Sequence, residues 1–171
     1  MSEQTGRKGV TGQYTRNGTP NGYTAITPFI IVDNPAAAIA FYEAVFGAKL
    51  KNATSFGSGD DAVIVHAEID FGNGYLQLGA PTPQFKTVLP PGDDTACYSL
   101  GLYVPDVDRV VELAVEHGAV VREPAMDFVS GDRYASILDP FRVRWTIMSR
   151  VEDLSEEESF RRVSEWSKRF N

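Results

Sequence analysis

The sequence predicts an α+β fold: two βαβββ modules forming a curved-sheet cleft, plus a C-terminal helix. Three observations carry that prediction. A strand–helix–glycine pattern occurs twice, in ITPFIIVDNPAAAIAFYEAVFGAKL (26–50) and SLGLYVPDVDRVVELAVEHGAVVRE (99–123). Gly47 and Gly118 stand 71 residues apart and the first strands align at a shift of 72, so the two patterns read as copies of one unit. Each copy is then followed by three alternating apolar segments with turn residues between them.

Each element has a local reason. Asp33 or Asn34 can cap the first helix, with Pro35 where a missing N–H costs nothing, and Asp106 can cap the second. Gly47 and Gly118 supply left-handed helix ends. Ile39, Tyr42 and Phe46 share one face of the first helix; Val107, Val110, Val111 and Ala114 share one face of the second. Strands are predicted at 48–56, 61–71 and 74–80, and again at 119–123, 131–138 and 143–149. Gly57–Gly59, Gly72–Asn73–Gly74 and Asp139–Pro140 mark the turns. The resulting plan is a disordered Gly/Thr/Asn-rich tail (1–22), module 1 (23–81), a proline-rich linker (82–95), module 2 (96–150) and a C-terminal helix (151–171). Ser155 and Glu158 form a capping box for that helix, and Phe160, Val163, Trp166 and Phe170 line one side. Such a helix can dock on its own domain or on a partner.

Alternation assigns faces. Val63, Val65, Ala67 and Ile69 are expected under a helix, with Ile64, His66, Glu68 and Asp70 opposite. In module 2, Leu100, Leu102 and Val104 oppose Ser99, Gly101 and Tyr103, while Val143, Trp145 and Ile147 oppose Arg144, Thr146 and Met148. Two polar faces turned toward each other would enclose a cleft.

Composition excludes several classes. A net charge of −7 argues against nucleic acid, whose recognition needs basic patches. No apolar run reaches the length of a membrane span, and the N-terminus lacks an apolar signal core, so a cytoplasmic location is expected. The one cysteine, Cys97, has no nearby base or cation and reads as a small buried residue. No nucleophile triad, phosphate loop or cysteine-pair spacing is present. His117, in the last turn of a helix, interacts with the helix dipole.

The paired modules, together with ITPFIIVDNPAAAIAFYEAVFGA and GDRYASILDPFRVRWTIMSRVEDLSEEE, resemble the vicinal oxygen chelate superfamily, which includes glyoxalase I, extradiol dioxygenases, and bleomycin and fosfomycin resistance proteins. The resemblance is nearest to its PhnB-like branch and covers about residues 24–160. Arg142 departs from that branch, which has glycine after Asp-Pro-Phe. Metal-dependent members take four ligands. The resemblance places these positions on Thr27, Glu68, Ser99 and Thr146, of which only Glu68 is a strong ligand. His66, two residues before it on the same face, is the only further candidate, and the pair also suits metal-free acid–base work.

The expected function is therefore small-molecule binding without a catalytic metal or other cofactor, with sequestration of a toxic or antibiotic-like compound as its use. The predicted lining is Thr27, Phe29, His66, Glu68, Ser99, Tyr103, Tyr134, Arg144 and Thr146, with aromatic walls and Arg144 as the better anion contact. The alternative is a glyoxalase-like lyase or dioxygenase-like enzyme holding one divalent metal ion on His66 and Glu68. The resemblance also implies a homodimer.

Overall fold

The computed structural model describes residues 7–93 and 95–170. Module 1 comprises β3 (Phe29–Ile31), α1 (Pro35–Phe46), β4 (Lys49–Phe56), β5 (Val63–Asp70) and β6 (Tyr75–Gly79), after a small hairpin of β1 (Thr15–Arg16) and β2 (Thr19–Pro20). Module 2 comprises β7 (Leu100–Tyr103), α2 (Val107–Glu116), β8 (Val120–Asp127), β9 (Asp132–Leu138) and β10 (Arg144–Arg150), and α3 (Glu156–Ser167) follows. The two four-stranded sheets have the same order, β3-β6-β5-β4 and β7-β10-β9-β8. In each, the first strand runs parallel to the last and the other pairs are antiparallel. The duplicated sequence thus folds as a duplicated module.

The predicted caps form. Asn34 accepts the Ala37 N–H at 3.1 Å, Asp106 accepts that of Arg109 at 3.0 Å, and Gly47 ends α1 at φ 65°. Tyr42 and Ala114 are fully buried. Helix α1 is buried on more than one side: Ala38, Phe41 and Val45 are also in the core. The reason is tertiary. Phe41 packs edge-on against Phe141 at 6.1 Å, while Tyr42 and Phe46 meet Trp145 at 5.4 and 4.8 Å. The helix-covered sides of the two modules share one core, in which Val143, Trp145 and Ile147 take part as their alternation predicts. Asp139, 3% exposed, joins the modules by accepting hydrogen bonds from Tyr42 (2.8 Å) and Trp145 (3.0 Å).

Four expectations are corrected. Residues 7–22 of the expected disordered tail carry the β1–β2 hairpin, held by bonds such as Asn21 N–H to the Tyr14 carbonyl; residues 1–6 lie outside the described residues. Cys97 is exposed, because β7 starts only at Leu100 and leaves the cysteine in the connecting segment. Strand β8 runs on to Asp127 beyond its predicted end, paired with β9.

The fourth concerns β5. Ala67 and Ile69 are buried as expected, but Val63 is 47% exposed and Ile64 packs against the core instead. Pairing with β4 slips between Thr54↔His66 and Ser55↔Ile64. On the other side Ala67 pairs with Leu78, yet the Ala80 N–H reaches Ile64 O at 2.9 Å. Both slips leave Val65 as the extra residue of a β-bulge, which inverts the alternation on its N-terminal side. Gly79 permits it: a Cβ there would stand 2.1 Å from the Val65 carbonyl oxygen.

The altered turn after Asp-Pro-Phe is visible as backbone geometry. Arg142 sits at φ 67°, a left-handed conformation that a side chain disfavours. Replacing it with glycine is expected to stabilise the protein by about 0.5–1 kcal/mol, since relief of strain exceeds glycine's greater freedom in the unfolded chain. Urea unfolding of the Arg142→Gly variant checks this, and an unchanged or lower midpoint would mean that the turn tolerates arginine.

Helix α3 takes the first of its two predicted dockings. Ser155 accepts the Glu158 N–H at 3.2 Å, Ser159 Oγ donates to Ser130 O at 2.8 Å, and Trp166 packs edge-on against Phe128 at 5.0 Å. Phe160 remains exposed.

Candidate functional site

Strand register orders the side chains on the outer faces, away from the helices. Across sheet 1 one row reads Phe29, Gln77, Glu68, Asn52; across sheet 2 the matching row reads Gly101, Thr146, Ser136, Glu123. The first members agree with the 72-residue shift. Module 1's counterpart of Thr146 is therefore Gln77 on β6, and the counterpart of Glu68 on β5 is Ser136 on β9. The resemblance set Glu68 opposite Thr146, whereas the symmetry of the fold sets Gln77 there. The signal was in the sequence: β6 and β10 are each the last strand of their copy, so YLQLG had to be set against RWTIM.

Glu68 is tied to its neighbours. Its Oε2 accepts the Tyr23 hydroxyl at 2.7 Å and the Asn52 amide, and its Oε1 accepts the Gln77 amide at 2.9 Å. The Tyr23 bond is the main reason its pKa lies below the ordinary carboxylate value, and the same bond pushes the Tyr23 phenol up to about 12. For the phenol, the contact's stabilisation is complete below its ordinary pKa and is lost as pH rises through about 12. For the carboxylate it is present above the ordinary value and is lost as pH falls through the lowered one. The contact therefore holds across neutral pH. The Tyr23 ring lies flat on Tyr75, with centroids 4.3 Å apart and planes 6° from parallel. Composition gave no hint of Tyr23, because its role depends on where the N-terminal segment lies.

Beside this row, on the same face, is a cavity of about 500 Å³. Phe29, Ile31, Phe56, Val65 and Phe85 form its apolar walls, and His66, Thr54, Thr82 and Thr87 are its polar members. Phe29 and His66 meet with ring centroids 5.7 Å apart. The bulge brings consecutive residues, Val65 and His66, into one cavity, and Phe85 arrives from the segment after β6. Sequence reasoning missed Phe56, Val65 and Phe85: the bulge hid the second, and the linker reading hid the third.

The other predicted residues lie elsewhere. Ser99 and Thr146 hydrogen-bond each other at 2.9 Å on sheet 2. Arg144 is engaged by Ser136 (3.0 Å) and Glu123 (2.7 Å), which leaves it a weaker anion contact than its place on the polar face suggests. Tyr134 meets Phe128 edge-on, and burial raises its pKa. Tyr103 and Ser99 border a second cavity of about 410 Å³ between the modules, together with Tyr75, Phe71 and Trp145. Thr27 is half-buried just before β3. Apart from Thr27, the predicted residues thus divide among a cavity on sheet 1, the Tyr23–Glu68 contact, the second cavity, and the outer face of sheet 2. Among the described residues no group of three or more His, Cys, Asp and Glu is placed to hold a metal ion.

Comparison with known proteins agrees with the fold. An uncharacterized protein of Mycobacterium bovis is 30% identical over 137 residues, covering 78% of this chain and 88% of its own length. Among solved structures, protein PA1353 from Pseudomonas aeruginosa superposes with a TM-score of 0.60 at 21% identity, covering 74% of this chain and 98% of that one. A PhnB protein from Bacillus cereus gives 0.54 at 15% identity, covering 74% and 99%. The family model for the Glyoxalase/Bleomycin resistance protein/Dioxygenase superfamily matches residues 22–147, which span both modules. With that match and the duplicated βαβββ sheets, the chain belongs to the glyoxalase/bleomycin resistance protein/dioxygenase superfamily.

Proposed function

We propose that the protein binds a small, flat organic molecule without a catalytic metal, in the cavity on the outer face of sheet 1. The observation that carries this reading is the cavity's wall: phenylalanines from β3, β4 and the linker, with His66 as its one titratable group. Such a site gains affinity from apolar contact and orientation from a few polar groups. The donor chemistry supports the metal-free part. The symmetry-related positions Thr27, Gln77, Ser99 and Thr146 offer hydroxyls and an amide, poor partners for a transition metal. Glu68, the carboxylate of the enzyme alternative, has both oxygens engaged by neighbours.

The protein works as a homodimer in this reading, because Phe29, Phe56, Val63 and Phe85 leave an apolar border exposed around the cavity. Sequestration of a toxic or antibiotic-like compound in the cytoplasm is the use that fits, and the PhnB-like branch is the nearest grouping. No helix among the described residues is long and apolar enough to cross a membrane.

The test uses 2-naphthol as probe and native mass spectrometry. Phe29→Ala and Phe85→Ala are each expected to weaken 2-naphthol binding about ten-fold, the usual effect of truncating an aromatic anchor. The native protein should appear as a dimer that takes up no stoichiometric zinc, nickel or iron(II). One metal per chain, lost in Glu68→Gln or His66→Ala, would overturn the reading in favour of the enzyme.

A further inference from the structure

The N-terminal arm has an unusual relation to the body of the protein. Its hydrogen bonds among the described residues up to Asn21 are internal: Gly12 to Thr15, Gly18 to Val10, Asn21 to Tyr14 and to Gln13, Asn17 to Thr11. What fastens it to sheet 1 is the next aromatic residue. Tyr23 donates its hydroxyl to Glu68 and stacks its ring on Tyr75.

The groups around Tyr23 resemble a recognition site already filled. Tyr75 provides a flat platform, Glu68 an ionised acceptor, and Asn52 and Gln77 fix that acceptor from either side. Gln77 pairs with Phe29, which walls the neighbouring cavity, so the filled position and the cavity adjoin along one strand row. We infer that Tyr23 is a built-in occupant, and that a flat aromatic guest carrying a hydroxyl group displaces it, stacking on Tyr75 and donating to Glu68.

This inference rests on the proposed binding function, extends its site along the strand row to Tyr75 and Glu68, which lie outside the cavity's own lining, and names the chemical class of the guest. A phenol matches what the site already holds in ring shape, stacking mode and donor. Among the described residues, displacing the one side chain of Tyr23 releases both the hydrogen bond to Glu68 and the stack on Tyr75. The arm also imposes a selectivity: an arene without a donor would leave the Glu68 acceptor without its Tyr23 partner and so displaces the arm poorly. Occupation by Tyr23 reduces apparent affinity in proportion to the fraction of molecules in which the arm is down.

The experiment compares 2-naphthol with naphthalene, by fluorescence titration of the full-length chain and its Tyr23→Ala, Tyr23→Phe and Tyr23→Ala/Glu68→Gln variants. Tyr23 lies outside the shared core, so these proteins fold. Tyr23→Ala is expected to bind 2-naphthol about ten-fold more tightly than the parent, as for a site nine-tenths closed by its arm. Tyr23→Phe should fall between; in the Tyr23→Ala background 2-naphthol should bind more tightly than naphthalene, and adding Glu68→Gln should weaken 2-naphthol while leaving naphthalene unchanged. Equal affinity of the two probes for Tyr23→Ala, or an equal loss for both on adding Glu68→Gln, would overturn the hydroxyl requirement. Equal 2-naphthol affinity in parent and Tyr23→Ala, with binding still weakened by Phe29→Ala, would overturn the inference and leave the binding function standing. Binding by neither protein would overturn both.

Discussion

Replacing Asp139 with alanine is expected to cost about 3–5 kcal/mol of stability, which lowers the melting temperature by roughly 10 °C in a chain of this size. Its carboxylate accepts four hydrogen bonds. Oδ1 takes the N–H groups of Phe141 (2.9 Å) and Val143 (2.8 Å); Oδ2 takes Tyr42 (2.8 Å) and Trp145 (3.0 Å). All four donors lie in the interior, and truncation leaves each without a partner at a typical penalty of about 1–3 kcal/mol, less than additively. The bonds to Phe141 and Val143 shape a turn, whereas the bond to Tyr42 crosses from one module to the other. Burial raises the pKa of Asp139 and the donors offset part of that rise, so the carboxylate depends on them as they depend on it. Tyr42→Phe removes one donor and should cost only about 1–2 kcal/mol. Urea unfolding of both variants checks the argument. A loss below 1 kcal/mol for Asp139→Ala would mean that water replaces the carboxylate and that the clasp between the modules is unimportant.

Gly79→Ala is expected to cost about 3 kcal/mol or more, far beyond the usual effect of an added methyl. The added carbon would stand 2.1 Å from Val65 O and 2.6 Å from Val65 C, both backbone atoms of the adjacent strand. Neither can move unless the bulge is undone, and undoing it would turn Val65 away from the cavity that it walls beside His66. The variant should therefore lose 2-naphthol binding together with stability. Gly74→Ala is the control. Nothing lies within 4 Å of its added carbon, and removing a glycine there should be neutral or stabilising by up to about 1 kcal/mol. Thermal melts of the two variants separate a close backbone approach from a general intolerance of substitution in sheet 1; equal melting temperatures would remove the bulge from the account of the site.

Much of the architecture was legible because its signals are local or repeated. The caps at Asn34, Asp106 and Ser155 involve residues three apart, and chain propensity alone brings them together. The duplication fixed the module count, and alternation in RWTIM assigned Trp145 and Ile147 to the core and Thr146 to the outer face, as found. The same reasoning failed at VIVHAEID. A bulge adds one residue without any change in hydrophobic pattern, so only pairing with β4 and β6 shows which way Val63 and Val65 point. At Glu68 the strand–helix alignment set β5 against β10, whereas sheet register makes Gln77 on β6 the counterpart of Thr146.

The sequence by itself determined the two βαβββ modules, their helix ends and turns, the terminal helix, and the side of most strands that meets the core. These depend on backbone conformation and on the burial of apolar side chains, both encoded within a few residues of each position. The tertiary structure alone decided which polar groups meet. It placed Tyr23 on Glu68 across 45 positions of sequence and Tyr42 on Asp139 across 97. It also put Phe85 beside Phe29 and separated Ser99 and Thr146 from His66. Contacts of that range follow from how the modules and the arm pack, and no local periodicity records them.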